Sequence, residues 1–502
     1  MRIGMRSQSS GMRSSINILS VPVDDLNLLE TLDRLEAFIE AGRGSRKTHQ
    51  VATVNVDFVV KSQVDPELRY LLQQADLTTA DGTPLFWAMQ SLGARLKERV
   101  AGVDLVLSLA QKAAEKGYSF FLLGAAPGVA DQAAGELQDR FPGLKIAGVH
   151  SPPYQTVLEM DRAILDEIRS TQPDVLLVAF GNPKQEKWIA MHAREIGIPV
   201  MIGVGGTLDF IAGVRRRAPV WMQRMGLEWS HRLIQEPGRL WRRYVIDLVV
   251  FGTAFLRQWW WLRRLKPTGG DAGKVGFQAE KNFAVLHLSG CFTAEQAGDL
   301  WAAGCQALEH SSEICLDLSE LKFLDSLIGG TILEIARFAR KAGGELSLAC
   351  PSAPVSRLLS AMRLDRVLAV YNDLRQAALK LEQRGPLDRR SGGAPSTQVR
   401  LEETTWNVLQ AARYLDGGNA ASFQNQGAHM LEDHPFLVVD LRDTVMITSA
   451  GMAALIYLHR RALTQGGSLR MANVSRDVRR MIELVRLDKV LVLVPDMQAT
   501  FA

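Results

Sequence analysis

Slid against itself by 123 residues, the C-terminal half of this 502-residue chain falls into register with itself. Leu316-Asp317-Leu318 meets Val439-Asp440-Leu441, Gly344 meets Gly467, and Arg363-Leu364-Asp365-Arg366-Val367 meets Arg486-Leu487-Asp488-Lys489-Val490. No gap is needed from 317 to 370. One matching tripeptide would mean little, but several in one register across strands, turns and helices mean two copies of one fold. Each reads as a compact α/β module, over 274–383 and 399–502, with a Gly/Pro/Ser/Arg-rich joint at 384–398.

The N-terminal half follows a different rule. Short apolar runs over 48–54, 119–123, 145–149, 175–180 and 199–204 alternate with helix-length amphipathic segments. That alternation predicts an α/β fold with a Rossmann-like parallel sheet over 1–214. A basic segment, 215–266, comes next and reads as a helical appendage. It carries six of the ten tryptophans, and twelve Lys or Arg against Glu228, Glu236 and Asp247. The overall charge of +4 hides this local excess. Guanidinium groups suit phosphates and indole rings suit the headgroup boundary, so the composition points to a membrane surface.

The longest apolar run, 245–256, contains Asp247 and falls short of the roughly 20 residues that span a bilayer, so the expected contact is peripheral. The N-terminus has arginines but no continuous apolar stretch of the kind a secretory signal needs. Cys291, Cys305, Cys315 and Cys350 show no CxxC spacing and read as small core residues in a reduced compartment. His150, His192 and His231 are scattered without metal-ligand spacing.

Three clusters in the first half could carry chemistry. Thr53-Val54-Asn55-Val56-Asp57 closes an apolar strand and sets Thr53 and Asn55 on one side of it. Ala80-Asp81-Gly82-Thr83-Pro84 is, on local physics alone, a turn. Gly181-Asn182-Pro183-Lys184-Gln185-Glu186 follows an apolar strand and, alone, is the start of a helix. Strand ends are nevertheless where parallel α/β sheets hold ligands.

Taken with Glu98-Arg99-Val100-Ala101-Gly102, Leu122-Leu123-Gly124-Ala125-Ala126-Pro127-Gly128 and Gly203-Val204-Gly205-Gly206-Thr207-Leu208-Asp209-Phe210, these clusters resemble the WecG/TagA/CpsF glycosyltransferase family. Arg217-Ala218-Pro219, Gly226-Leu227-Glu228-Trp229, Arg232-Leu233 and Glu236-Pro237-Gly238-Arg239 extend the match, in the family's order, over about 16–260. The resemblance implies inverting transfer from a UDP-sugar to a saccharide on a polyprenyl diphosphate, at the cytoplasmic membrane face, in exopolysaccharide or envelope glycan assembly. It places Asp81 as the base and Thr53, Asn55 and Gln185 around the substrate. Asp209 would lie near the uridine, with Gly124 in the turn beside the sugar-nucleotide cleft.

From the appendage the resemblance brings Arg232, Arg239 and Arg242 onto the leaving diphosphate. It implies no metal cofactor, in keeping with the lack of any Asp-x-Asp tripeptide. Trp259, Trp260, Trp261, Arg263 and Arg264 are expected to meet an anionic bilayer. Nucleic acid is not an expected partner, since no nucleic-acid fold follows the basic stretch.

The repeated modules resemble STAS domains through Leu316-Asp317-Leu318-Ser319 with Phe323-Leu324-Asp325-Ser326, and through Val439-Asp440-Leu441 with Ile447-Thr448-Ser449-Ala450-Gly451-Met452. The hydroxyl that accepts phosphate in regulatory members is replaced by Leu327 and Ala450, which cannot be phosphorylated. Ser326 and Ser449 beside them are expected to cap helices. The modules read as sites for docking protein partners. The competing expectation is a membrane-bound scaffold whose transferase part is catalytically silent.

Overall fold

The computed structural model describes residues 13–45, 47–96, 98–152, 162–267, 269, 271–384, 397–401 and 404–494, except the side chains of 162, 224, 239, 383, 384 and 397–405. The N-terminal arginines before 13 and most of the joint at 384–398 lie outside the described residues.

The first half is built on an all-parallel six-stranded sheet. Its order is Leu77–Ala80, His49–Val54, Val200–Gly203, Val175–Ala179, Ser119–Gly124, Lys145–His150. The central strand Val175–Ala179 is buried along its whole length, as expected for a strand covered by helices on both faces. Leu77–Ala80 is an element that the sequence pattern did not mark, because Leu-Thr-Thr-Ala offers neither an apolar run nor strict alternation. A hairpin, Ser15–Ile18 with Val21–Asp24, precedes the sheet and turns through Leu19 and Ser20, both at positive φ.

Three helices of the first module recur in the second. Ala297–His310, Ser326–Lys341 and Ala353–Ala361 recur as Ala420–Asp433, Ser449–Thr464 and Arg476–Leu484, each shifted by 123 residues. Arg363 and Arg486 both adopt the left-handed conformation, at φ 61° and 60°. Each module has a five-stranded sheet with an antiparallel outer strand and parallel pairing elsewhere. In the first, Ala284–Phe292 follows Ile314–Leu324 through two register shifts as far as Cys291↔Phe323 and Phe292↔Leu324. In the second, the same pairs, Tyr414↔Met446 and Leu415↔Ile447, form a separate two-stranded sheet.

The first module shares one hydrophobic core with the transferase half. Ile16, Ile18, Val21 and Val23 of the hairpin join Phe251 and Leu262 of the helix Pro237–Leu265, and continue into Leu327, Ile328 and Ile332 of the module. The C-terminal part of segment 215–266, from Phe251 to Leu265, is therefore seated in the interior, whereas much of 220–250 is exposed. Buried ions reinforce the junction. Arg13 lies 2.6 Å from Asp24 and 3.5 Å from Glu334, while Asp76 receives Arg337 at 2.9 Å and Lys341 at 3.1 Å. Pairs taken out of water add little net stability but penalise any other register strongly.

The second module has its own core, against which Tyr70 and Leu71 of the transferase pack. The Tyr70 hydroxyl donates to Asp416 at 2.6 Å, and Arg413 pairs with Glu345 of the first module.

Candidate active site

The carboxyl ends of five parallel strands open into one cleft of about 540 Å³. Thr53 and Asn55 come from the first strand and Asp81 from its neighbour. Ala125 and Ala126, Gly181 and Asn182, and residues 204–207 come from the other three. A size of several hundred cubic ångströms suits a small-molecule substrate. The mouth is roofed from 215–266 by Arg215, Arg232, Glu236, Leu240, Arg243 and Tyr244.

Asp81 sits at the wall where sheet and roof meet. Its amide donates to Val54 O at 2.7 Å, and its carboxylate accepts from the Gly102 amide, where the helix Gly102–Lys116 begins. Burial raises its pKa; Arg232 and Arg99 oppose that rise and Glu228 adds to it. Thr53 donates its hydroxyl to Gly203 O at 3.0 Å, tying two strands together at the cleft floor. Asn55 caps the helix Val56–Ser62, accepting from the Phe58 amide at 3.3 Å.

Gln185 is almost fully buried and its oxygen accepts from two turn amides, Gly181 at 3.1 Å and Gly205 at 2.9 Å. Its nitrogen donates to Glu186 Oε1 at 2.7 Å. Burial pushes the Glu186 pKa up to about 8, so this acid holds its proton well above the usual carboxylate range. A β-carbon at Gly203 would lie 2.5 Å from the Gln185 nitrogen and 2.6 Å from Glu186 Oε1, so only glycine fits beneath the pair. Asp209 lies 3.3 Å from Arg215, which lies 3.3 Å from Glu236, a charged chain from the core to the roof.

The roof departs from the expected arginines at one position. Arg232 does line the cleft, stacked over the Phe210 ring at 4.7 Å. Arg242 does not; it is exposed and lies over Trp241 at 6.0 Å. Arg243 lines the cleft instead, 4.0 Å from Asp57 and 3.9 Å from Asp247. One residue along a helix is a turn of about 100°, enough to move a side chain from the cleft to solvent. The Arg239 side chain lies outside the described residues. Gly124 does not line the cleft; it takes a positive φ, and its carbonyl accepts from Ser151 at 2.9 Å.

Pairing within the motifs was not legible in the sequence. Glu228 receives Arg99 at 2.5 Å and Arg217 at 3.2 Å, and Arg217 also forks onto Asp104 at 2.5 and 2.6 Å. Burial alone would raise the Glu228 pKa, but the two guanidinium groups bring it below its ordinary value. This network fastens the roof beside Asp81. Gly226 takes a positive φ against Thr83, and a β-carbon there would be 3.0 Å from Thr83 Oγ1 and nearer still to Cγ2.

The tryptophan triplet divides. Trp260 is exposed beside Arg264, and Trp259 is half-buried beneath Arg263 at 4.4 Å. Trp261 turns inward against the shared core, with Arg357 of the first module over its ring at 5.3 Å. Three consecutive helical residues point some 200° apart and cannot all face one bilayer. The exposed apolar residues of this helix include Trp241, Val245, Ile246, Leu248, Val249, Val250, Leu256 and Trp260, and the preceding segment exposes Trp221, Met225 and Ile234 among others. Among the described residues no helix is long and apolar enough to cross a membrane.

The expected serine caps are also corrected. Asp325 caps the first module's helix, accepting from Leu327 and Ile328 amides, while buried Ser326 accepts from Gln258 at 3.1 Å. In the second module Thr448 holds the cap position, and Ser449 donates its amide and hydroxyl to Glu67 of the transferase, the hydroxyl at 2.9 Å.

A Rossmann-like sheet with a carboxylate and a roof of arginines at its strand ends is compatible with a glycosyltransferase. The family model for glycosyl transferases of the WecG/TagA/CpsF family matches residues 16–265, and two STAS-domain models match 275–371 and 398–500. The chain belongs to the WecG/TagA/CpsF family and is a glycosyltransferase fused to two STAS domains. An N-acetylglucosaminyldiphosphoundecaprenol N-acetyl-beta-D-mannosaminyltransferase of Staphylococcus aureus (strain MW2) is 30% identical over 241 residues, 48% of this chain and 92% of the relative. The enzymes of the same name from strains NCTC 8325 / PS 47 and MRSA252 match with the same identity and coverage.

Proposed function

We propose that this glycosyltransferase moves an N-acetylmannosamine-type or related hexosyl unit from a UDP-sugar to a saccharide carried on a polyprenyl diphosphate, in exopolysaccharide or envelope glycan synthesis. The acceptor and the sugar are those in the names of the relatives. The observation that carries the reading is the meeting, in one cleft, of a buried carboxylate with cationic side chains. Asp81 stands on one side, and Arg215, Arg232 and Arg243 come from the roof.

In this reading the acceptor hydroxyl oxygen attacks the anomeric carbon from the face opposite the nucleotide. Asp81 takes the hydroxyl proton, the bond from the anomeric carbon to the β-phosphate oxygen breaks, and UDP departs with the bonding electrons. Arg232 and Arg243 meet the charge that develops on the diphosphate, in place of a bound divalent ion. Thr53, Asn55 and Gln185 hold the ends of the strands in place around the sugar, and Asp209 lies towards the nucleoside. The exposed tryptophans and arginines of the roof rest on an anionic bilayer, which brings the cleft to its lipid-linked acceptor. The STAS modules dock protein partners through faces not used by the transferase.

The test is transfer from UDP-N-acetylmannosamine to a polyprenyl-diphosphate-linked N-acetylglucosamine, with and without Asp81→Asn. Loss of the base is expected to lower kcat about 100- to 10,000-fold. A kcat within tenfold of the unaltered enzyme would remove Asp81 from that role.

A further inference from the structure

Gln258 lies in the C-terminal half of the helix Pro237–Leu265, is fully buried, and joins three parts of the molecule. Its oxygen accepts from the Leu19 amide at 3.1 Å, and its nitrogen donates to Asn17 O at 2.8 Å and to Ser326 Oγ at 3.1 Å. The helix, the N-terminal hairpin and the first STAS module therefore meet at one side chain. Around it Phe251 and Leu262 are buried, and Ala254, Phe255, Trp261 and Leu265 pack on the same core. The N-terminal half of this helix carries Leu240, Arg243 and Tyr244 into the cleft. The helix is continuous for 29 residues, on the order of 40 Å at 1.5 Å per residue. A grip on one end thus sets the angle of the other.

We propose that the first STAS module is a built-in clamp on the transferase roof, and that Gln258 is the positioning residue through which it holds the cleft-lining arginine in place. In this arrangement the module's helix Ser326–Lys341 presents its N-terminal turn to the enzyme's own roof. Ser326 is 1% exposed and already bonded there, so this end of the module is occupied from within the chain. The energetic logic is that of a buried polar knot. Once the Gln258 amide is lost, the amide of Leu19 and the carbonyl of Asn17 lose the partner it gives them in the core, so the knot is strongly preferred over any looser packing. The catalytic consequence rests on the function proposed above; the mechanical coupling along the helix does not.

The experiment uses the full chain with Gln258→Leu, read by hydrogen exchange and by steady-state transfer from UDP-N-acetylmannosamine. The expected result is exchange at least tenfold faster in 228–247, with the core strand Ser119–Gly124 as protected as before. Alongside it the KM for the nucleotide sugar rises at least fivefold, because the donor loses its roof. Unchanged exchange in 228–247 overturns the proposal, and so does a fall in kcat with KM unchanged, which would mark a mere loss of folded enzyme. If Ser119–Gly124 also loses protection, Ser326→Ala, which removes a single hydrogen bond, is judged by the same two readings. No transfer by the unaltered chain would refute the proposed function, whereas the exchange reading would still decide the clamp.

Discussion

Gly226→Ala tests whether the closed roof is what makes the site. Gly226 sits at φ 73°, where an L side chain costs about 1–2 kcal/mol. Its new β-carbon would also press on Thr83, the first residue of the helix that follows Asp81-Gly82, and such overpacking costs about 1–3 kcal/mol. The strain has an easy outlet. The helix Glu228–Gln235 contains no fully buried residue, so the segment is able to undock while the sheet stays folded.

A penalty of about 2–5 kcal/mol against closure corresponds to a loss of roughly 30- to 4,000-fold in kcat/KM, at about 1.4 kcal/mol per tenfold. Thermal melting of the core should hardly move. Adding Thr83→Ala removes Cγ2 and Oγ1 and leaves the Cβ at 3.1 Å, so the double variant should recover the steric share and retain a deficit of roughly tenfold from the backbone strain. The assay is sugar transfer by both variants beside thermal melting. Gly226→Ala within threefold of the unaltered enzyme, or a double variant no better than the single one, would refute the reasoning.

Further outcomes follow from the buried acids. Glu186, pushed from 4.5 to about 8, is protonated in the fold while the unfolded chain has lost its proton. Its contribution to stability is therefore full below about pH 4.5 and lost progressively up to about 8; Tm for the unaltered chain minus Tm for Glu186→Gln should fall across that window, and a flat difference would show that Glu186 is not held neutral. Asp247, raised from 3.8 to about 6 by burial and then by Asp57, should behave likewise between about pH 4 and 6 against Asp247→Asn. Glu67→Ala removes both acceptors of Ser449, so amide exchange in Ser449–Thr464 should quicken while Ser326–Lys341 is unaffected; equal protection in both variants would show that the Glu67 contact does not hold the second module.

Part of the cleft was legible because its residues follow a positional rule. Thr53 and Asn55 stand at the carboxyl end of a strand marked in the sequence, where parallel sheets hold ligands, whereas Asp81 and Gln185 were singled out by the family resemblance, since Leu77–Ala80 has no strand pattern and Gln185 reads alone as the first turn of a helix. The repeat was legible for a similar reason, since a constant offset preserves both helix phase and strand pairing. What failed was rotation about an axis. Arg242 and Arg243 are indistinguishable as motif members, and their roles separate only once the helix is seated on Asp57 and Asp247. The same blindness put Trp261 with its two neighbours, although a step of about 100° turns it into the core. The caps slipped by one residue because Asp325 and Ser326, or Thr448 and Ser449, are all good capping residues in sequence. Only the chain's entry into the helix decides between them.

The core that runs unbroken from Ile16 through Leu262 to Ile332 has a consequence for how the molecule melts. Three domains in sequence would ordinarily give three heat-absorption peaks. Here the transferase and the first module bury the same apolar surface and the same ions, so neither loses its structure without exposing the other. They should unfold as one calorimetric unit, with the second module, which has a core of its own, as the other. The cooperative boundary of this chain would then fall between its two copies of one fold, and not between the enzyme and the modules attached to it.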